Sequence, residues 1–166
     1  MFNKVNTKFF IVAFLSIFIN STYALKLDVA YSADNILGFW FNETNTSIIA
    51  IQKNVKSNKY FGKIIWLKEP KYKDGTVKRD KKNPDLDLRK RPLYKLTILK
   101  DFIYGKRNSW QGGTIYDPES GNSYSCVIKM KKPGELDVRG FVGFSIFGRS
   151  TTWTKVSAEE VKSLIS

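Results

Sequence analysis

Tyr60-Phe-Gly-Lys-Ile-Ile-Trp-Leu-Lys68 is the stretch that decides the fold. Phe61, Lys63, Ile65 and Leu67 fall on one face, and Tyr60, Gly62, Ile64 and Trp66 on the other. A period of two is the signature of a strand, whose successive side chains point to opposite faces, and not of a helix. Two segments before it, 38–43 and 47–53, read as strands as well. So do five after it, at 95–100, 109–116, 123–131, 135–142 and 150–156. Asp117-Pro-Glu-Ser-Gly121 and Lys132-Pro-Gly134 are turn sequences, built from residues that tolerate turn dihedrals. Short strands in sequence order joined by tight turns predict an antiparallel meander. Eight of them invite closure into a single all-β, up-and-down barrel over 37–156, because closure removes exposed strand edges.

Two segments interrupt or follow this pattern. Residues 69–92 form a long irregular stretch containing Pro70, Gly75, Pro84 and Pro92 and dense in Lys, Arg and Asp. A loop of that length in a compact domain is usually functional or disordered. Residues 157–166 read as a short helical tail: Ser157 is placed to cap, Glu160 stands at the capping-box position, and Val161, Leu164 and Ile165 share a face.

The N-terminus predicts a secretory signal peptide over 1–24. Lys4 and Lys8 give a positive start, residues 9–19 are apolar except for Ser16, and Thr22-Tyr23-Ala24 offers small residues where a signal peptidase reads. The apolar run is about half of the ~20 residues an α-helix needs to cross a bilayer. Cleavage is expected after Ala24, leaving a flexible lead over 25–36, no transmembrane segment in the mature protein, and a periplasmic or secreted location.

Composition narrows the chemistry. With 42% hydrophobic and 14% aromatic residues the chain of 166 residues has enough apolar surface for one packed domain. Cys126 is the single cysteine, so no internal disulfide can form. There is no His, which removes the commonest general base and the commonest transition-metal ligand; neither a metal nor another cofactor is expected. Ser-His and Cys-His couples are excluded for the same reason. Gly112-Gly113 precedes a strand rather than a helix, so it is no phosphate loop. Cys126 lies in an alternating strand, where a free Cys is usually a small buried hydrophobe.

The formal charge is +13, lowered by two when Lys4 and Lys8 leave, and 18 of the 28 basic residues lie between Lys53 and Arg107 against six acidic ones. Such a surface suits an anionic envelope component or an acidic partner protein. Export and the lack of a recognised motif weigh against nucleic acid. Abundant Lys, Asn, Ile, Phe and Tyr also fit an AT-rich genome, which would make part of the charge compositional.

Candidate site residues follow from these patterns. In Asn83-Pro-Asp-Leu-Asp-Leu-Arg-Lys-Arg-Pro92, Asp85 and Arg89 are spaced to tether the loop by a bidentate bridge. Alternatively, Arg89 and Arg91 present planar forks to an anionic ligand. Trp66, Trp110, Tyr116, Tyr124 and Trp153 are spread over separate strands; inside a barrel they either fill the core or line a cavity. Asp85 and Asp87 in the loop, and Asp117 and Glu119 in a turn, are the carboxylates a hydrolase would need, although turns recruit Asp for backbone hydrogen bonds without any chemistry.

Seven runs taken together resemble a known family: Tyr60-Phe-Gly-Lys-Ile-Ile-Trp-Leu67, Asn83-Pro-Asp85, Arg89-Lys-Arg-Pro-Leu93, Trp110-Gln-Gly-Gly-Thr-Ile-Tyr-Asp-Pro118, Gly121-Asn-Ser-Tyr124, Val138-Arg-Gly-Phe-Val-Gly143 and Phe147-Gly-Arg-Ser-Thr-Thr-Trp-Thr154. They resemble the exported bacterial proteins grouped as domain of unknown function 2147, in family order and over about 37–155. The resemblance implies a calycin-like barrel similar in shape to lipocalins, and export, but no activity. Two positions depart from it: Lys95 stands where a small residue such as Gly is expected, and Lys155 where Arg is expected. Arg139, in the sixth run, joins the candidate ligand contacts.

The functional expectation is a non-catalytic exported barrel that binds an apolar or amphipathic small molecule under the 69–92 loop. The alternatives are a basic module for an anionic envelope component or acidic partner, and a hydrolase using carboxylates such as Asp85 and Asp117.

Overall fold

The computed structural model describes residues 32–144 and 147–166. The predicted signal peptide and residues 25–31 of the predicted lead lie outside the described residues. The fold is the expected one: eight antiparallel strands in sequence order form a closed barrel. They are β1 (Gly38–Phe41), β2 (Ser47–Asn54), β3 (Lys59–Leu67), β4 (Thr97–Tyr104), β5 (Ser109–Asp117), β6 (Asn122–Lys132), β7 (Glu135–Phe141) and β8 (Gly148–Val156). Pairing of Phe39 with Val156 and Phe41 with Thr154 joins β1 to β8 and leaves no free edge.

A 3-10 turn at Ala33–Ile36 closes the end of the barrel where β1 begins. Ile36 is fully buried, the Trp40 indole donates to its carbonyl at 2.8 Å, and the Trp110 indole donates to the Ala33 carbonyl at 3.0 Å. Buried indoles need acceptors, and here the turn's own carbonyls supply them. Tyr60 Oη donates to Asp34 Oδ1 at 2.6 Å and Lys53 Nζ reaches the same oxygen at 3.1 Å. These bonds hold the Asp34 carboxyl below its usual value. The end of the predicted flexible lead is thus a hydrogen-bonded plug.

Alternation fails at one informative place. Ile48 pairs with Trp66 but Ile49 with Ile64, so a bulge leaves Ile65 unpaired. An extra residue reverses the faces beyond it. Ile64 therefore points into the core, whereas Trp66 joins an outer cluster with Phe39, Phe41, Ile48, Ile65, Val156 and Val161. Phe41 meets Trp66 edge to face at 6.0 Å. The expectation that Ile64 and Trp66 share a face is corrected. The outer cluster is covered by α1 (Ala158–Ile165), which buries Val161 and is capped by Ser157, whose hydroxyl accepts from Glu160 N at 3.0 Å.

The long loop is ordered. Antiparallel bridges join Lys71 to Val77 and Arg79 to Pro92, and a 3-10 turn occupies Asp87–Lys90. It leaves the barrel at the end opposite the Ala33–Ile36 plug, since β3 ends and β4 begins there. Both departures from the family pattern have a local account. Lys95 adopts φ +66°, the left-handed conformation that Gly takes without strain. Lys155 holds Nζ 5.3 Å over the Trp40 ring, a cation–π contact that does not require a guanidinium.

Candidate functional site

One buried carboxylate organises the long loop. Asp80 has no solvent exposure. Its Oδ1 accepts from Tyr116 Oη at 2.5 Å, and its Oδ2 accepts from Asn83 Nδ2 at 2.8 Å and from Arg91 Nε and Nη2 at 2.9 and 2.7 Å. Asn83 also donates to Tyr116 Oη at 3.1 Å, and the Arg91 guanidinium lies 5.9 Å from the Tyr116 ring. Burial pushes the Asp80 carboxyl up, but the bonds from Tyr116, Asn83 and Arg91 outweigh it and hold the group below its ordinary value. Burial, with the Asp80 charge beside it, pushes the Tyr116 phenol up. This closed, fully partnered network fastens residues 78–92 onto β5.

The tether expected between Asp85 and Arg89 is therefore corrected. Asp85 Oδ1 accepts from Asp87 N at 3.0 Å, and Arg89 Nε donates to the Asn83 carbonyl at 2.7 Å. The bridge is made by Asp80 and Arg91 instead. Asp117 spends its oxygens on Glu119 N at 2.9 Å and Ser120 Oγ at 2.7 Å, the turn duty its position suggested. No cluster of His, Cys, Asp and Glu able to hold a metal occurs among the described residues.

The candidate aromatics divide. Trp110 and Trp153 fill the core alongside Trp40, Tyr60, Phe102, Leu136 and Val138. Tyr116 belongs to the Asp80 network, and Trp66 lies outside the barrel. Tyr124 pairs with Ile115 near the loop end. A Cβ on Gly140 would meet Ile115 at 3.3 Å and Tyr124 at 3.6 Å, so these three share the inner face, where all are only half-buried. Arg139 is on the outer face of β7 and donates to Ser150 Oγ at 3.2 Å. Of the nine candidates, then, the structure brings Arg91 and Tyr116 together at Asp80, places Trp110 and Trp153 in one core and scatters the others.

Cys126 is buried, and burial pushes its thiol up to about 12. The thiolate is the reactive form. Alkylation of the folded protein at pH 8 is expected to be on the order of 10³-fold slower than that of a free thiol, and to become fast only on unfolding. Rapid native labelling in a thiol-quench assay would contradict this.

An open groove of about 610 Å³ lies on the outer wall of β3 and β4, below the long loop. The two strands pair irregularly there, with register shifts on both sides of Gly62. Lys59, Arg91, Lys95 and Lys100 line it with Phe61, Tyr94, Pro92 and Leu96, and Asp101 is the one carboxylate in the lining. Asp101 is occupied by Lys59 at 3.4 Å. Arg91 turns Nε and Nη2 to Asp80, which leaves Nη1 as the guanidinium nitrogen outside that pair. Of these residues only Arg91 is a ligand-contact candidate from the sequence, and Asp80 is not among the candidates. The available signal was Lys78-Arg-Asp-Lys-Lys82, where a lone acid sits in a run of cations.

The closed meander plugged at one end defines a lipocalin-like barrel. In agreement, protein HP1028 from the human pathogen Helicobacter pylori, described as belonging to the lipocalin family, has a similar fold with a TM-score of 0.66 and 24% sequence identity. The similarity covers 78% of this chain and 88% of that one. The chain itself belongs to the family of uncharacterized proteins conserved in bacteria known as DUF2147, matched over residues 38–155. A search of the curated proteins finds no match.

Proposed function

We propose that the protein is a non-catalytic binding protein exported from the cytoplasm, and that its ligand is an amphipathic small molecule with an anionic group, held in the groove beside β3 and β4. The observation that carries this is the lining: four cations around Phe61 and Tyr94, opposed by a single carboxylate. Cationic heads placed over aromatic and aliphatic surface suit a ligand that is part charge and part apolar. The centre of the barrel, where a lipocalin-like fold first suggests a ligand, is filled by Trp40, Tyr60, Phe102 and Trp110, all nearly or fully buried. A fold hosts many functions, so the lining is the better guide.

Calorimetric titration with dodecyl phosphate, against neutral dodecyl maltoside, tests the groove. The phosphate is expected to bind more tightly, and Lys95→Glu with Lys100→Glu to weaken it by about 10-fold at low salt. Equal binding of both amphiphiles, or indifference to the double reversal, would rule the groove out. Native mass spectrometry of the protein from its own host reads export independently: the mature chain should begin at Leu25, and an intact mass retaining Met1 would refute cleavage.

A further inference from the structure

The β7–β8 connection exposes what the rest of the barrel hides. Val142, Phe144 and Phe147 are 69, 78 and 72% exposed. Isolated apolar side chains on a surface are ordinary, but large ones gathered at one tip mark an interaction site. Immediately behind them stand two arginines on adjacent rungs, Arg139 opposite Ser150 and Arg149 opposite Gly140, one on each face of the sheet. No Asp or Glu occurs between Val138 and Ala158. Glu43 of a neighbouring turn lies 3.6 Å from Arg149 across an exposed surface, where such a pair is weak, and Asp137, paired with Lys131 at 3.5 Å, stands two residues before Arg139 in β7. The long loop leaves the barrel at the same end and adds Leu86, 68% exposed, beside Arg89 and Lys90.

The spacing fits a lipid surface. At ~3.3 Å per strand residue Arg149 stands roughly 7 Å behind Phe147 along the chain. Interfacial apolar side chains enter a bilayer by about 5–10 Å, to the boundary of headgroups and acyl chains. We propose that this end of the barrel docks on an anionic lipid surface, with Val142, Phe144 and Phe147 entering that boundary and Arg139 and Arg149 meeting headgroup phosphates. The groove on β3 and β4 takes no part, so docking and ligand uptake are separable.

Flotation of the mature protein with phosphatidylcholine vesicles containing about one-third phosphatidylglycerol, against phosphatidylcholine alone, is the test. Wild type should float with the anionic vesicles at low salt and only weakly with the neutral ones. Phe144→Asp with Phe147→Asp should lower the bound fraction by at least ~10-fold, since each buried ring contributes about a factor of ten or more. Arg139→Gln with Arg149→Gln should remove most of the salt-sensitive part. Because the two rings are exposed, the Asp variant should keep its thermal midpoint and its dodecyl phosphate titration, which separates failure of docking from failure of the groove. Wild type that stays unbound at low salt, or an Asp variant that floats like wild type, overturns the proposal.

Discussion

Asp80→Ala is expected to destabilise the protein by about 3 kcal/mol and to open the long loop to trypsin. Removing the carboxylate leaves the Arg91 guanidinium, the Tyr116 hydroxyl and the Asn83 amide without their shared acceptor. Truncating one partner of a buried ion pair costs about 3–5 kcal/mol, because the remaining charge stays desolvated. The lower end applies because the Arg91 side chain is 35% exposed and can recover some hydration. For a domain of this size the midpoint of thermal unfolding should fall by roughly 10 °C. Tyr116→Phe, which removes one of the bonds, should cost about 1–2 kcal/mol.

Limited trypsin digestion gives the more specific reading, because the loop carries Lys78, Arg79, Lys81, Lys82, Arg89 and Lys90. Cleavage among them should be slow in the wild type and fast in Asp80→Ala. Unchanged digestion would mean the network is not what fastens the loop. The pH dependence has a definite sign. The partners depress the folded-state value of Asp80, so the network's stabilisation is complete above the unfolded carboxyl's value of about 3.9. It is lost as pH falls through the lower folded value. Tryptic sites should therefore stay protected at pH 5 and above, and the midpoint should drop only in more acidic buffer.

Gly121→Ala should cost a similar amount from the opposite side of the same loop. Gly121 has φ +78°, and a Cβ there would lie 1.9 Å from the Lys82 carbonyl oxygen. The left-handed conformation costs an L residue about 1–2 kcal/mol, and the collision forces backbone apart at about 1–3 kcal/mol more. A total near ~3 kcal/mol is expected in chemical denaturation. Gly75→Ala is the control: φ is +80° but nothing lies within 4 Å of the added Cβ, so only the dihedral cost of about 1 kcal/mol applies. If both variants lose the same stability, the close approach of Lys82 to the β5–β6 turn is not a packing constraint. Combined with Asp80→Ala, Gly121→Ala should be less than additive, because a loop already released cannot be released again.

Each effect rests on something that sequence reading met only halfway. The cap at Ser157, the turns at 117–121 and 132–134 and the order of the strands were all legible, because each depends on residues adjacent in the chain. Strand limits moved by a few residues: β4 runs on to Tyr104 through Asp101 at φ +62°, and β1 stops at Phe41. The function of the Asn83–Pro92 run was legible in kind, as a tether, but not in its partners. Asp80 and Arg91 are separated by 11 positions, and only the bridge of Arg79 to Pro92 brings them together.

What the amino-acid sequence by itself determined was the barrel: a period of two repeated through eight segments leaves every strand half-apolar, and closing the sheet is how such strands bury that face and lose their edges. Tertiary structure alone decided where the individual side chains went. A single bulged residue turned Trp66 from the inner face to the outer, and the path of the long loop chose Arg91 over Arg89 as the partner of a buried carboxylate. It also opened the basic groove where β3 and β4 part. Periodicity is a property of neighbours in the chain, whereas bulges, ion pairs and grooves depend on segments that meet only once the barrel has closed.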